Sequence, residues 1–285
     1  MTAVKAYAAL SPATALEPFQ FERRALKPHD VLIEILFSGV CHSDLHQARD
    51  EWGGSIYPMV PGHEIVGKVV LVGEHVKKFK AGDTAGVGVM VDSCRECKPC
   101  NDLLEQYCVE GMTGTYNNYE RDKSAIAQGG YSTMIVTDER YVYHVSGQLS
   151  LPGVAPLLCA GITTYSPLKF AGVKAGDKVA IAGLGGLGHM AVKFAVAMGA
   201  EVTMLSTSPS KEADARKLGA HHFVLSTDAE AMAKLDSRFD VVVDAISASH
   251  DYEIYLKLLA LHGKLLVVGL PSKQPQVNPF ELIKN

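Results

Sequence analysis

In the stretch Gly39-Val40-Cys41-His42-Ser43-Asp44-Leu45-His46, a thiol, a hydroxyl, a carboxylate and two imidazoles fall within six consecutive residues. Cys is a soft metal ligand, His a ligand or proton carrier, Ser a hydrogen-bond relay, and Asp an orienting partner for a metal-bound imidazole. A second concentration of chemistry is Cys94-x2-Cys97-x2-Cys100-x7-Cys108, with Lys98-Pro99 placed to tighten the loop between ligands. Four thiolates at that spacing close a tetrahedral zinc and leave no position for substrate, which makes the site structural. A third set is assembled from distant pieces: Cys41, His63 in Pro61-Gly62-His63-Glu64, and Cys159 in Leu157-Leu158-Cys159-Ala160-Gly161. Two thiolates and one imidazole leave a fourth position for water or a substrate oxygen, as a catalytic zinc requires. Taken singly, Cys41 and Cys159 read as buried core thiols and His63 as a surface residue; taken together, beside a nucleotide motif, they read as ligands.

The nucleotide motif is Gly183-Leu184-Gly185-Gly186-Leu187-Gly188. It follows the apolar run Lys178 to Ala182 directly and opens a helix expected over His189 to Met198, so its backbone amides can face a pyrophosphate. A bare glycine turn in another α/β protein is the alternative, and the strand-turn-helix context weighs against it. An NAD site should carry Asp or Glu about 20 residues on. Here Ser206-Thr207-Ser208-Pro209-Ser210-Lys211 offers hydroxyls and an ammonium, which suit the 2'-phosphate of NADP. The same residues also suit a helix start, with Ser208 as cap and Pro209 in the first helical position.

These groups need two kinds of scaffold. Residues 1–150 read as short strands at even spacing (Val31 to Phe37, Ile65 to Val72, Ala85 to Val91, and Gly130 to Val136), a barrel or sandwich pattern. Asp92 to Gln128 is an excursion with no sustained period, carrying the cysteine lobe at 92–110. Residues 151–285 alternate helix and strand: a helix candidate Leu157 to Phe170 containing Pro167, strands Lys178 to Ala182, Glu201 to Leu205, His222 to Leu225, Asp240 to Asp244 and Lys264 to Gly269, and helices Ser210 to Leu218 and Asp251 to Leu261. Unbroken apolar strands in such alternation predict a doubly wound parallel sheet. The fold class is therefore α/β, a small barrel followed by a dinucleotide-binding sheet.

The chain has 285 residues, enough for two cores. A net charge of −4 gives no reason to expect nucleic acid or an anionic membrane as partner. Met1 to Leu10 carries too short an apolar run for a signal peptide, and Val179 to Ala200 is interrupted by five glycines, His189 and Lys193. A cytoplasmic, reducing location is the expectation, and it favours metal ligation over disulfides for the six cysteines.

Taken in order, Gly39 to His46, Pro61 to Glu64, the four-cysteine lobe, Met112-Thr-Gly-Thr-Tyr116, Leu158-Cys-Ala-Gly-Ile-Thr163 and Gly183 to Gly188 resemble the zinc-dependent medium-chain alcohol dehydrogenases, in particular their cinnamyl alcohol dehydrogenase-like, aldehyde-reducing branch. The Cys2His set is the long-known ligand set of alcohol dehydrogenase, and this sequence matches it. The resemblance implies a GroES-like first domain, a Rossmann second domain, an active cleft between them, two zinc ions per chain and NADP(H). It implies catalytic-zinc ligation by Cys41, His63 and Cys159, with Glu64 as near neighbour and occasional ligand, and structural-zinc ligation by Cys94, Cys97, Cys100 and Cys108. Asp44 would orient His63. Ser43 would take the alcohol proton and pass it through the nicotinamide ribose to His46. Cofactor contacts would come from His42, Thr163, Gly183, Leu184, Gly185, Gly186, Leu187, Gly188, Ser206, Thr207, Ser208, Lys211 and Val268, and pocket walls from Trp52 and Tyr116. The activity implied is hydride transfer between aldehydes and primary alcohols, small molecules being the only expected ligands besides cofactor.

Members of that family continue for several dozen residues beyond the position of Asn285, supplying a sixth parallel strand that pairs subunits into a homodimer and a return segment to the first domain. The expectation here is a sheet lacking that strand, with Leu265 to Leu270 at an apolar edge and the homodimer in doubt. Two other readings compete: a remnant that folds around the structural zinc and binds nucleotide without turnover, and a zinc-free quinone reductase, which would have no use for Cys41, His63 and Cys159 together.

Overall fold

The computed structural model describes residues 2–271 and 276–283, and the chain forms two compact units, 1–159 and 160–285. In the first, a curled antiparallel sheet runs in the order Met134–Asp138, Asp30–Ser38, Ile65–Val72, Thr84–Val87, Val142–His144. Its β-branched residues alternate inward, and Val31, Ile33, Ile65, Val69, Phe79, Val87 and Ile135 form one buried cluster. A hairpin of Thr2–Ala8 and Glu17–Arg23, which the spacing of apolar runs does not reveal, closes over one side. It is fastened by Arg23, a buried guanidinium that donates to the carbonyls of Gln128 (2.6 Å), Gly129 (3.1 Å) and Met134 (3.0 Å).

The expected single strand Ala85 to Val91 is two strands, Thr84–Val87 and Met90–Asp92. Between them the chain turns aside, because Gly88 and Val89 give their carbonyls to the Thr115 hydroxyl and amide. The strand expected from Gly130 begins at Met134, since Gly130 and Tyr131 donate instead to the carbonyls of Gly62 and Pro61.

The second unit is a five-stranded parallel sheet in the order His222–Leu225, Glu201–Ser206, Lys178–Ala182, Phe239–Asp244, Leu259–Val267. Both faces are covered, as the apolar runs predict: Val179, Ile181, Val241 and Val243 join one core, and Ala180, Ala182 and Val242 the other. Helices Ala160–Ala171, containing Pro167, and Gly186–Ala197 pack with the first of these. The helix expected over Asp251 to Leu261 is only Glu253–Leu256, because the chain joins the sheet at Leu259, opposite Phe239. Among the described residues the strand Leu259–Val267 is an edge of this sheet, with Leu261 and Val267 exposed and Leu265 and Leu266 half-buried. Leu270, at the end of the expected apolar edge, is exposed as well.

Removing the Arg23 head group strands three carbonyls, each costing about 1–3 kcal/mol if left unpaired in the interior. Arg23→Leu is expected to destabilise the first unit by roughly 3 kcal/mol, read as a lower denaturant midpoint for a fluorescence transition of that unit; an unchanged midpoint contradicts the assignment.

Candidate metal and cofactor sites

Cys41 leaves the first sheet in extended conformation and caps the helix His42–Ala48. Three residues on, Asp44 accepts from the Cys41 amide at 2.9 Å, from the Gly62 amide at 3.0 Å and from the Tyr131 hydroxyl at 3.0 Å, and faces His63 Nδ1 at 3.2 Å. The pairing leaves the other ring nitrogen, Nε2, buried and without a partner among the described residues. One donor atom each from Cys41, His63, Glu64 and Cys159 all lie within 4.8 Å of one another. Cys41 Sγ and Cys159 Sγ are 3.8 Å apart, too far for a disulfide and close to the separation of about 3.8 Å that two sulfurs take at about 2.3 Å from a tetrahedral zinc. An orphaned imidazole nitrogen beside two thiols at that distance fits a zinc ion.

The charges of these groups act strongly on one another. The close approach of Cys159, His63 and Ser43 outweighs burial and brings the Cys41 thiol down to about 4. Burial opposes a charged His63, but the neighbouring Asp44 carboxylate and Cys41 thiolate prevail and raise it to about 10. Burial and the Cys41 thiolate push Glu64 up to about 7. The Glu64 carboxyl is admitted by Gly39, where an added Cβ would stand 1.9 Å from Glu64 Oε2.

Ser43 and His46 lie one turn apart on the helix His42–Ala48 and therefore share a face. Ser43 Oγ is 3.6 Å from Cys41 Sγ. The His46 ring is stacked between His42, at 4.6 Å, and Trp52, at 4.7 Å, with its Nδ1 held by the Glu51 carboxylate and its Nε2 buried without a partner among the described residues. The Tyr116 ring is buried and stacks on His63 at 5.7 Å. Glu51 and Tyr131 are absent from the residues singled out in sequence. Glu51 is five positions past His46, where a helix would turn it away, but the helix ends at Ala48 and the chain doubles back. Nothing in the sequence signals Tyr131.

In the lobe, Cys94, Cys97, Cys100 and Cys108 also bring their sulfurs within 4.8 Å of one another. Cys97 caps the short helix Lys98–Asn101 with Pro99 in its first turn. The amide of Cys97 donates to Cys94 Sγ and that of Cys94 to Cys108 Sγ, at 3.3 and 3.4 Å. Four sulfurs with no free side fit a closed, structural zinc.

The glycine loop lies wholly in the second unit. Gly183 has a positive φ of 88°, and a Cβ on Gly188 would meet its carbonyl at 1.8 Å, so strand and helix touch there backbone to backbone. Around Gly185 and Gly186 a Cβ would meet nothing within 4 Å; this side of the loop is open where the helix Gly186–Ala197 begins, as a pyrophosphate needs. Lys211 reaches back to the loop, its Nζ 2.7 Å from the Leu184 carbonyl, and Ser206 Oγ accepts from the Ser208 amide at 3.2 Å. Ser208 precedes the short 3-10 turn Pro209–Lys211, with Thr207 exposed beside it. Leu184 and Val268 pack partly buried against the core below, and the Val268 amide donates to the carbonyl of Asp244. Leu187 lies in the first turn of the helix, and Thr163 is half-buried in Ala160–Ala171. Asp244, fully buried, is matched at 2.8 Å by His250, a pair invisible to sequence spacing.

A barrel carrying a Cys2His-carboxylate cluster and a four-sulfur lobe, followed by a parallel sheet with a dinucleotide loop, defines a zinc-binding dehydrogenase. Residues 27–147 match the alcohol dehydrogenase GroES-like domain family and residues 186–285 the zinc-binding dehydrogenase family. The chain is 51% identical over 284 residues to the NADP-dependent alcohol dehydrogenase C 1 of Mycolicibacterium smegmatis, covering 99% of this chain and 81% of that one. Its fold superposes on a cinnamyl alcohol dehydrogenase of Sorghum bicolor with a TM-score of 0.97 at 43% identity, covering 99% and 81% of the two chains. On the Helicobacter pylori cinnamyl alcohol dehydrogenase complexed with NADP(H), the TM-score is 0.94 at 46% identity, covering 99% and 80%. The chain belongs to the zinc-dependent medium-chain alcohol dehydrogenase family, in its cinnamyl alcohol dehydrogenase-like branch, and is an oxidoreductase of that family. No helix among the described residues is long and apolar enough to cross a membrane.

Metal analysis of the purified chain is expected to return two zinc ions, one of which is lost in Cys159→Ser with the fold retained, while Cys97→Ser loses the other and lowers the melting temperature. Equal zinc content in parent and variants contradicts both sites. Gly188→Ala, which drives a methyl into the Gly183 carbonyl, is expected to weaken NADPH binding at least about tenfold, roughly 1.4 kcal/mol, by fluorescence titration; unchanged affinity removes the loop from the cofactor site.

Proposed function

We propose that this chain catalyses the reversible reduction of aldehydes to primary alcohols with NADP(H) at a zinc ion held by Cys41, His63 and Cys159, with Glu64 as an alternative ligand. The observation that carries the reading is the gathering of one donor atom from each of those four side chains within 4.8 Å of one another, with Nε2 of His63 buried and unpartnered among the described residues. When bound, zinc polarises the aldehyde carbonyl and NADPH donates hydride to its carbon. Asp44 fixes the His63 ring through Nδ1, so that the second nitrogen points at the metal position with its lone pair. Reduction leaves an oxygen that needs one proton. Ser43 Oγ, close to Cys41, holds that proton, and His46 on the same helix face stores its replacement. Because Glu51 occupies Nδ1 of His46, proton exchange is confined to Nε2, and the His42 and Trp52 rings keep the imidazole from turning. Trp52 and Tyr116 bound the pocket as apolar surface.

Preference for NADP rests on the second strand's end. From Ser206 to Lys211 there is no carboxylate to repel a 2'-phosphate, and Lys211 stands over the glycine loop. The M. smegmatis relative, named NADP-dependent, and the H. pylori structure, complexed with NADP(H), support the same choice. The reductive direction follows from the use of NADPH as cellular reductant. Small aldehydes and alcohols are the substrate class.

The test is NADPH oxidation with a panel of aromatic and aliphatic aldehydes. Turnover is expected in the parent and is lost in Cys41→Ser; turnover surviving in that variant sinks the assignment. Lys211→Ala is expected to raise KM for NADPH by about tenfold or more while leaving KM for NADH nearly unchanged, since one charge-assisted contact is worth roughly 1.5–3 kcal/mol. Equal effects on both cofactors place Lys211 elsewhere.

A further inference from the structure

The four-cysteine lobe does not end at its sulfurs. Ser93, immediately before the first of them, is 1% exposed, and its Oγ lies 3.2 Å from Cys100 Sγ and 2.8 Å from the phenol oxygen of Tyr141. Tyr141, 3% exposed, belongs to the turn Glu139–Tyr141 that joins two strands of the first-unit sheet. The same turn is gripped from outside by Arg95, whose guanidinium lies 5.9 Å from the Tyr141 ring centroid and bridges Asp92 at 2.8 Å and Asp138 at 2.9 Å. A buried chain of three polar atoms therefore links one sulfur of the lobe to the sheet.

Proton counting gives the chain a direction. A metal-bound Cys100 carries no proton, so its sulfur can only accept: Ser93 O–H donates to Cys100 Sγ, and Tyr141 O–H donates to Ser93 Oγ. Four thiolates around one dication leave two excess negative charges, and hydrogen bonds to the sulfurs offset them. Cys94 and Cys108 take theirs from backbone amides of the lobe itself. Cys100, among the most buried of the four, takes its bond from a side chain connected to the sheet.

We propose that Ser93, with Tyr141 behind it, is a positioning residue of the four-sulfur metal site, tuning the Cys100 thiolate and tying retention of the metal to the barrel. This rests on reading the lobe as a metal site. The test is cadmium-113 NMR of the full chain, in which an all-sulfur site resonates well apart from one with mixed sulfur and nitrogen ligands. Ser93→Ala is expected to shift the all-sulfur signal and leave the mixed signal in place, Ser93→Thr, which keeps the hydroxyl, to stay close to the parent, and Tyr141→Phe to shift the same signal by less. Loss of zinc from the lobe to a chelator should accelerate about tenfold or more in Ser93→Ala. The proposal is overturned if signal and loss rate match the parent in Ser93→Ala, or if the bulkier Ser93→Thr perturbs the signal more than Ser93→Ala, as pure packing would require. Should Ser93→Ala not fold, Tyr141→Phe decides, since it removes one oxygen and keeps the ring. No all-sulfur signal in the parent overturns the metal reading of the lobe, and this proposal with it.

Discussion

The buried carboxylate of Asp44 is the interaction on which the first unit's chemistry depends. It is 2% exposed, and an ionised carboxylate there is tolerable only with several donors. It has four: the amides of Cys41 and Gly62, the hydroxyl of Tyr131 and the ring of His63. Those donors come from three separate segments of the chain, so satisfying one charge brings the cysteine, the histidine and the wall behind them into register. His63 reverses the usual effect of burial for the same reason: desolvation alone would lower its pKa, yet the negative charges of Asp44 and Cys41 beside it raise it.

The second unit solves a different problem by a different means. Its strands are buried on both faces, and the polar side chains the site draws from them, Ser206 and Asp244, stand at their carboxyl ends. There the backbone does the work. Gly183 and Gly188 let strand and helix approach without side chains, the loop stays open on the side of Gly185 and Gly186, and Lys211 leans back over the loop from the next connection.

How much of this could be read from sequence follows from what periodicity and spacing encode. The parallel sheet was legible because buried strands are unbroken apolar runs and the glycine motif sits between one of them and a helix. Strands Ile65–Val72, Lys178–Ala182 and His222–Leu225 fall where their composition places them. The cysteine lobe was legible because its ligands are local. The hairpin Thr2–Ala8 with Glu17–Arg23 was not, since its stability comes from Arg23 bonding to carbonyls more than a hundred residues away. The same limit hid Tyr131, Tyr141 and the Asp244–His250 pair. Leu259 to Leu261 read as the end of a helix because a leucine-rich segment fits either period; pairing with Phe239 decided for strand.

The charge balance around Cys41 argues most directly for what the first cluster is built to hold. Two thiols and two carboxyls, those of Cys41, Cys159, Glu64 and Asp44, surround a single imidazole. Asp44 is matched by its four donors, but Glu64 is 3% exposed with its pKa driven up by burial and by the neighbouring thiolate, and Cys159 is driven up by Cys41 and by burial in the same way. Such mutual repulsion is costly in a protein interior, and hydrophobic residues of similar size would relieve it. Gly39 instead opens the space that admits the Glu64 carboxyl, and Asp44 turns the bare nitrogen of His63 toward the same point. The raised pKa values of Glu64, Cys159 and His63 mean that these groups keep protons which a bound cation would displace, and the soft, nitrogen-containing donor set selects zinc over calcium or magnesium.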